Sequence, residues 1–466
     1  MKKRFIISVG SALLASSLFS ASAFAENPAA TLQQKVELLG DEEEELLSEE
    51  EPNNTFDAAN NIMAGDIVEP TYVKGTLPVD DVDMYKVELD SDIPLYLYGS
   101  FLQETANIPL DIILYDENKV AVEPHEFFVN DEKGYAALYP SSSGTYYVSV
   151  KNKSDLGVDK EYVLLVFQFY LEPNVERIYG TDRYETALQV ALKGWDSGSD
   201  EMILATGSNY PDALAGAPLA YHKGAPILLT SKQTLHSSAK KGIEELGVQK
   251  VTILGGAGVI SDNVVEEIKD LGVSVTRISG NNRYETAVAI SKSLPNHDAA
   301  FVVSGKNYPD ALSIASIAAQ EGYPILLSEK DIIPASTLAQ ANTYKKNYVI
   351  GGTGVISQSV MTKLNHPTRI FGMNRYETNA SIIQNFNIHT GSVFFATGTQ
   401  FADALTGSSL AAHIGEPLLL TPPDRLHPAI KDLMIDYTYD VKILGGIKAI
   451  QPNVEKDIWA VLESNQ

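Results

Sequence analysis

The pattern of hydrophobic and polar residues divides the chain into two regions. From 51 to 170, short runs alternate apolar and polar residues, as in 83–89 (DMYKVEL) and 144–150 (GTYYVSV), and polar or Gly/Pro turns separate these runs. Such runs are typical of strands with one buried face, so this region predicts an antiparallel β-sandwich. Beyond residue 174 the apolar runs are short and continuous, and helical stretches lie between them. That arrangement predicts small parallel sheets flanked by helices, Rossmann-like in class.

Four motifs recur three times, in the same order, beyond residue 174. Each copy opens with an RIxGxxRYET-type motif, continues with a PDAL-type motif and a PILLT-type run, and ends at a Gly-Gly turn. Repetition at such a period indicates one supersecondary unit per copy. We therefore expect three tandem modules at 172–272, 273–365 and 366–466.

The opening motif places an Asp or Asn three residues before a glutamate at a predicted helix start. This spacing is that of a capping box, in which the first side chain accepts from the N3 amide and the glutamate reaches back to the amide of the cap. The predicted cap residues are Asp182 with Glu185, Asn282 with Glu285, and Asn374 with Glu377. These positions have a structural explanation that requires no ligand.

The arginine that follows each cap is a candidate ligand-binding residue. A cation in the first turn opposes the helix dipole unless an anion lies beside it, and a helix N-terminus with a guanidinium suits phosphate or carboxylate. The alternative is a salt bridge within the chain to an aspartate in the first turn of the next helix, and both can hold together. The arginines are Arg183, Arg283 and Arg375, and the aspartates are Asp212, Asp310 and Asp403.

The sequence contains no recognisable catalytic constellation, so we expect a protein that is not an enzyme. No histidine pair has zincin spacing, no serine lies in a GxSxG elbow, and there are no cysteines. The Gly-Gly turns resemble a dinucleotide loop only in part, because copy three has Lys448 where the second glycine of that loop would lie. His222 and His413 occupy equivalent places with Gln320 between them, which favours hydrogen bonding to a ligand or a neighbouring copy. The net charge of −25 argues against nucleic acid as a partner.

The N-terminus predicts export. Basic residues at 2–4 precede an apolar run, and AFA at 23–25 has the form that signal peptidase cleaves, so 1–25 reads as a signal peptide and Glu26 as the first mature residue. No later run is apolar for long enough to span a bilayer, and no C-terminal sorting sequence is present. We therefore expect a secreted protein that stays at the cell surface, if at all, without a covalent link.

Acidic residues suggest two further features of the N-terminal region. Residues 26–50 end in a run of glutamates that repels itself, which predicts a disordered linker. Asp80, Asp81 and Asp83 are candidate calcium ligands, because Ca²⁺ takes carboxylate oxygens, and the alternative is a solvated acidic turn. No other cofactor is expected.

Both regions resemble known families. Residues 51–170 are similar to the bacterial pre-peptidase C-terminal domain, a small jelly-roll-like sandwich, through EPNNTFDAAN at 51–60, GTLPVDDVDMYKV at 75–87 and SSGTYYVSV at 142–150. The four motifs of 174–466 resemble the cell wall-binding repeat 2 family of Gram-positive surface proteins.

The second resemblance implies a function and a set of site residues. It implies three modules in a pseudo-threefold arrangement that anchor a secreted protein non-covalently to anionic polymers or peptidoglycan of a Gram-positive cell wall. Arginine clusters or bridging divalent cations are the two ways in which an acidic protein could bind such a polymer. Carried over by motif, the candidate groove residues are Arg183, Tyr184, Asp212, Arg283, Tyr284, Asp310, Arg375, Tyr376 and Asp403.

Two points qualify this expectation. Copy three departs from the motifs at Phe401, Ala402, Ile447 and Lys448, which predicts that its site is altered or purely architectural. The alternative function is a modifier or partner subunit of a peptidoglycan hydrolase, because this repeat type accompanies amidases and their modifiers.

Overall fold

The computed structural model describes 47–65, 71–78, 81–89, 94–101, 110–124, 126–131, 134–139, 142–152, 160–168, 173–435 and 438–464. The chain forms two compact units that divide between residues 172 and 173. The expected signal peptide, most of the acidic linker and Asp80 lie outside the described residues. None of the helices in the described ranges is long and apolar enough to cross a membrane.

The N-terminal unit contains two sheets, whose strands are numbered in chain order. The first sheet has the order β1 (Leu47–Ser48), β3 (Thr71–Leu77), β11 (Lys160–Gln168), β5 (Leu95–Phe101), β9 (Gly134–Tyr139) and β8 (Glu126–Asp131). The second has the order β2 (Asn60–Met63), β4 (Val82–Leu89), β10 (Gly144–Asn152), β6 (Leu110–Tyr115) and β7 (Ala121–Val122). Pairing is antiparallel except between β1 and β3 and between β2 and β4. Alternate residues of both sheets form one buried cluster, as strands with one buried face require.

The end of the acidic run belongs to this unit. Leu47 pairs with Val73 in register, and Oε1 of Glu49 accepts a hydrogen bond of 2.6 Å from the backbone N–H of Thr76. The expectation of a disordered linker as far as residue 50 is therefore wrong for its last residues. The physical reason is that the edge of β3 has unpaired backbone groups, which β1 and a glutamate carboxylate satisfy.

The EPNNTF motif packs on the second sheet. The ring of Phe56 lies edge-on to Tyr115 and Tyr147, with centroid distances of 5.2 Å to each. The backbone carbonyl of Asn53 accepts from the N–H of Met84 at 3.1 Å. The motif thus has a packing role in holding the first loop against β4, β6 and β10.

The C-terminal unit consists of three four-stranded parallel sheets with helices between the strands. The strands are β12 (Asn174–Ile178), β13 (Glu201–Thr206), β14 (Ile227–Thr230), β15 (Lys250–Leu254), β16 (Ser274–Ile278), β17 (Ala299–Ser304), β18 (Ile325–Ser328), β19 (Lys346–Ile350), β20 (Pro367–Ile370), β21 (Ser392–Thr397), β22 (Leu418–Thr421) and β23 (Asp440–Leu444). The helices are α1 (Arg183–Gly194), α2 (Gly216–His222), α3 (Ser237–Glu245), α4 (Asp262–Lys269), α5 (Arg283–Ser291), α6 (Pro309–Gln320), α7 (Ala335–Ala341), α8 (Gln358–Met361), α9 (Arg375–Asn385), α10 (Ala402–His413), α11 (Pro428–Met434) and α12 (Pro452–Ser464). The two central strands of each sheet are almost wholly buried, which explains their continuous apolar sequences.

The strand that opens each copy completes the sheet of another copy. The sheet orders are β14-β13-β15-β16, β18-β17-β19-β20 and β22-β21-β23-β12. Thus β16 and β20 join the sheets of the copies before them, and β12, the first strand of the unit, joins the sheet of the last copy, with Val175 opposite Val441 and Ile178 opposite Leu444. The array is therefore closed on itself through backbone hydrogen bonds.

Side chains also join the copies. Helices α2, α6 and α10, one from each copy, pack against one another. His413 stacks on Trp195 with ring centroids 4.5 Å apart, and Nε2 of Gln320 donates to the carbonyl of Glu416 at 3.0 Å. Two of the three equivalent positions that the sequence suggested for hydrogen bonding thus contact a neighbouring copy.

Candidate functional site

The three RYET motifs begin helices at the carboxyl edges of the sheets. In copy one, Oδ1 of Asp182 accepts from the N–H groups of Tyr184 and Glu185 at 2.8 and 2.9 Å. Asn282 and Asn374 cap α5 and α9 in the same way. These bonds satisfy backbone donors that the first helical turn leaves unpaired.

The glutamate of each motif accepts from a different amide than expected. Oε2 of Glu185 accepts from the N–H of Thr181 at 2.7 Å, one residue before the cap, and Glu285 and Glu377 do the same in their copies. The cause is the close approach of Gly180, where a Cβ atom would come within 2.5 Å of Cβ of Glu185. This approach places the amide of Thr181 under the carboxylate.

The arginines of the motifs reach the ends of neighbouring strands. Nη1 of Arg183 donates to the carbonyl of Gly207 at 2.7 Å, and Nη1 of Arg283 donates to Gly305 at 2.6 Å. Arg375 makes the same bond to Gly398. Among the described residues, the arginines that form ion pairs within 4.0 Å are Arg177, Arg277 and Arg425. The three RYET arginines are not in this set. Because a guanidinium has five donors, each RYET arginine keeps donors for a ligand.

Two of the PDAL aspartates, Asp310 and Asp403, lie near arginines of other copies. Asp310 and Asp403 are each only 8% exposed. Burial raises the pKa of both carboxyls to about 6, and an arginine opposes this rise: Arg375 for Asp310 and Arg183 for Asp403. Each of these arginines belongs to the copy after that of the aspartate in the closed array. The sequence had placed each arginine beside the aspartate of its own copy.

An aromatic cluster lies where the three copies meet. The rings of Tyr210, Tyr308 and Phe401 have centroid separations of 5.1, 5.7 and 6.3 Å. Cζ of Arg183 lies 5.5 Å from the Phe401 centroid, and Cζ of Arg375 lies 6.0 Å from that of Tyr308. These distances permit cation–π attraction. Arg183, Arg375, Asp310 and Asp403 therefore converge with the aromatic rings on the boundaries between copies.

Tyrosine hydroxyls fasten two of these boundaries. The Tyr210 hydroxyl donates to the carbonyl of Lys306 at 3.0 Å, and the Tyr308 hydroxyl donates to that of Thr399 at 2.5 Å. Phe401 has no hydroxyl to make the third bond. Copy three nonetheless keeps its fold: Ala402 is the first residue of α10, and Ile447 and Lys448 are exposed in the turn after β23.

The RYET tyrosines form pairs that the sequence analysis missed. The ring of Tyr184 stacks on His236 at 4.0 Å, and Tyr376 packs against His427 at 5.0 Å. Each histidine begins a helix and accepts a backbone N–H through Nδ1. The recurrence of His at one position after the PILLT runs was the available signal. Copy two has Pro334 at the position of these histidines. Burial raises the pKa of Tyr284, the RYET tyrosine of that copy.

The acidic cluster of the N-terminal unit differs from the predicted one. Oδ1 of Asp81 accepts from the N–H of Val82 at 3.0 Å and from the side chain of Asn54. Asp83 is buried and groups instead with Glu49 and Glu51, whose ligand atoms and its own lie within 4.8 Å of one another. Asp80 lies outside the described residues, so the set of Asp80, Asp81 and Asp83 stays a prediction. Among the described residues, the group that could hold a metal ion is Glu49, Glu51 and Asp83.

Burial perturbs Asp83 strongly. Oδ2 of Asp83 accepts from the hydroxyl of Tyr162 at 2.6 Å. Burial raises the pKa of this carboxyl to about 8, despite the Tyr162 bond. Oδ1 of Asp83 and Oδ1 of the fully buried Asn53 have no hydrogen-bond partner. Unpaired buried oxygens beside two further carboxylates have the chemistry of Ca²⁺ ligands.

Three parallel-sheet modules with an arginine at each sheet edge define a repeat protein with one recurrent arrangement of side chains. Residues 177–265, 277–361 and 369–455 each match the family Cell wall binding domain 2. The chain belongs to this family, and the resemblance drawn from the four motifs is confirmed.

Two proteins of Bacillus subtilis are similar in sequence to this chain. The chain is 34% identical to N-acetylmuramoyl-L-alanine amidase LytC of Bacillus subtilis (strain 168) over 67% of this chain and 62% of the amidase. It is 35% identical to the Amidase enhancer of the same organism over 61% of this chain and 40% of that protein. The chain thus spans less than two thirds of either relative. Cwp6 from Clostridium difficile has a similar fold, with a TM-score of 0.57 and 22% identity over 83% of this chain and 65% of Cwp6.

Proposed function

We propose that this protein is secreted and anchors itself non-covalently to anionic polymers of a Gram-positive cell wall through its three repeats. The observation that carries the proposal is the arginine with unused donors that each repeat presents at the same edge of its sheet. Family membership supports a wall ligand. Arg183, Arg283 and Arg375 would supply the local positive charge that the chain, at −25, lacks overall.

The finer architecture fits this role. We take each module as Rossmann-like, with its ligand at the carboxyl ends of the strands, where open parallel sheets bind theirs. Three such modules in a pseudo-threefold arrangement would bind one repeating polymer at several points. Linked weak sites gain affinity through effective concentration, without any new contact. The N-terminal unit would be a jelly-roll-like sandwich of the pre-peptidase C-terminal type, displayed at the wall.

Sedimentation with purified Gram-positive walls tests the anchor. The full chain is incubated with walls before and after acid extraction of the anionic polymers, beside variants carrying Arg183→Gln, Arg283→Gln and Arg375→Gln singly and together. Glutamine removes the charge and keeps a polar side chain at the helix start. The matched control is Lys240→Gln, because Lys240 is an exposed cation on α3.

We expect binding to disappear with the polymer and to fall stepwise with the arginines. Unchanged binding to extracted walls would make peptidoglycan the ligand and return the arginines to a structural role. A chain that sediments with neither kind of wall would refute the anchor altogether.

A second proposal is that the protein is a modifier or partner subunit of a peptidoglycan hydrolase. Its support is the similarity of the repeat region to an amidase and to an amidase enhancer. The test measures wall lysis by a purified amidase with and without the full chain, and by the chain alone. Faster lysis only in the mixture would support a modifier, lysis by the chain alone would show that it is itself a hydrolase, and an unchanged rate would leave anchoring as the function.

We further propose that Glu49, Glu51 and Asp83 bind Ca²⁺ together with Asn53. The support is the pair of unpaired buried oxygens, one on Asn53 and one on Asp83. Bound Ca²⁺ would neutralise a cluster whose charges otherwise repel and would fix the acidic segment on the N-terminal unit. Calorimetric titration of the full chain with Ca²⁺, with Asp83→Asn beside the exposed control Asp57→Asn, tests this site. Equal heats from both variants and the parent chain would refute it.

A further inference from the structure

Two aspartates at the boundaries between copies are largely buried, and their carboxylates have no hydrogen-bond donor among the described residues, although the carboxylate oxygens are not fully enclosed. Asp310 and Asp403 are 8% exposed, and no hydrogen bond or ion pair among the described residues involves either carboxylate. Each lies in the first turn of its helix and faces a glycine turn, so that a Cβ atom built on Gly351 would lie 2.6 Å from Oδ2 of Asp310. A buried carboxylate without donors is costly. Because the oxygens are not fully enclosed, a ligand can reach them and supply the missing donor.

Each carboxylate lies beyond ion-pair distance from the arginine of the following copy. Arg183 and Asp403 interact electrostatically, yet they form no ion pair within 4.0 Å. Phe401, two residues before Asp403, lies beneath the guanidinium at 5.5 Å from Cζ. This boundary thus brings together a cation, a hydrogen-bond acceptor and an aromatic ring against the cation.

The second boundary repeats this arrangement. Arg375 and Asp310 interact across it, and Tyr308, two residues before Asp310, lies 6.0 Å from Cζ of the arginine. Asp212, the equivalent in copy one, is only half-buried. The two boundaries of copy three are therefore the ones that contain a desolvated carboxylate.

We propose that each of these two boundaries binds a hydroxyl-bearing phosphate unit of the wall polymer, with its phosphate on the arginine and its hydroxyl donating to the aspartate. This inference rests on the proposed anchoring function and specifies its ligand. A phosphate that carries no nearby hydroxyl brings a second negative charge to the aspartate and no hydrogen-bond donor for it. The carboxylate therefore selects against simple anions, as buried polar groups discriminate against ligands that leave them unpaired.

The closed array is necessary for one of the two sites. Arg183 follows β12 at the start of the array, whereas Asp403 belongs to the last copy. They meet because β12 pairs with β23. A single copy contains neither complete site, so we assign ligand binding to pairs of copies.

The test is competition for wall binding by the full chain. The competitors are glycerol 3-phosphate, glucose 1-phosphate and methyl phosphate at equal concentration and ionic strength, at pH 8 so that the phosphates are dianions; the first two have alcohol hydroxyls and the third has none. We expect the hydroxylated phosphates to displace the chain about tenfold more effectively than methyl phosphate, as a hydrogen bond to a charged group allows. The stronger of the two identifies the polymer unit as a polyol phosphate or a sugar phosphate.

The variants are Asp310→Leu with Asp403→Leu, the corresponding Asn pair and the exposed control Asp457→Asn. The Leu pair should lose the preference for hydroxylated phosphates, the Asn pair should keep part of it because its amide oxygen still accepts, and the control should behave as the parent. The Asn pair also covers the case in which the Leu pair does not fold. Equal displacement by all three phosphates, displacement by none, or a preference unchanged in the Leu and Asn pairs would overturn the inference. Binding is measured in every sample by sedimentation with walls. A parent chain that does not sediment even without a competitor would refute the proposed anchoring function itself.

Discussion

Replacing Asp310 or Asp403 by asparagine should stabilise the repeat array at neutral pH. Burial raises the pKa of each carboxyl from 3.8 to about 6, a difference of 6 − 3.8 = 2.2 units. At 1.36 kcal/mol per unit, ionising each buried group costs the folded state up to about 3 kcal/mol. The buried amide has its own cost of about 1 kcal/mol. We therefore expect a net gain of about 1–2 kcal/mol for each substitution at pH 7.5.

The stability difference between the asparagine variants and the parent depends on pH. Below pH 3.8 the carboxyl is protonated in both states and contributes nothing. Between pH 3.8 and about 6 it ionises in the unfolded chain but stays protonated in the folded one, so the parent loses stability as the pH rises. Above about pH 6 the carboxyl is ionised in both states, and the parent's loss of stability is complete. The advantage of asparagine should thus be absent at pH 4 and fully present at pH 7.5.

Tryptophan fluorescence during urea unfolding measures this effect in the full chain. The chain has two tryptophans, Trp195 and Trp459, and both lie in the array, so the signal follows that unit alone. The control is Asp457→Asn, which removes an exposed charge. A variant no more stable than the parent at pH 7.5, or one with the same gain at pH 4, would refute the reasoning.

Three further substitutions test the contacts within and between copies. Phe401→Tyr should supply the missing hydroxyl bond at the third boundary and raise the free energy of unfolding by about 1 kcal/mol, while Tyr308→Phe should lower it by a similar amount; urea midpoints that move together would contradict this. Lys442→Met should cost about 3–5 kcal/mol, because it leaves Glu416, whose Oε1 lies 3.0 Å from Nζ, buried without its cation. Lys456→Met, at an exposed position, is the control, and equal thermal midpoints for the two methionine variants would show that the buried pair contributes nothing.

A hydrogen bond could be predicted from the sequence where the two residues that form it are close together in the chain. The cap of α1 depends on Asp182 and on amides two and three residues later, and such spacings are visible in a sequence. The family could be recognised for a related reason, because four short motifs recur in order.

Contacts between distant residues could not be predicted in this way. Nothing local determines that β12 joins a strand that begins 266 residues later, at Asp440. Nor does spacing reveal that Asp83 lies with Glu49, or that Arg183 faces the aspartate of the last copy. These contacts depend on how whole elements pack, and they are the ones that build the candidate sites.

The pairing of β12 with β23 limits how many copies the protein can contain. An open array can gain or lose a repeat at either end, because each repeat contacts only its neighbours. Here the first strand must reach the last sheet, and the rings of Tyr210, Tyr308 and Phe401 fill the place where three copies meet. A fourth copy would separate these rings and would need a different angle at every boundary. The number of binding units can therefore increase only by adding another complete set of three.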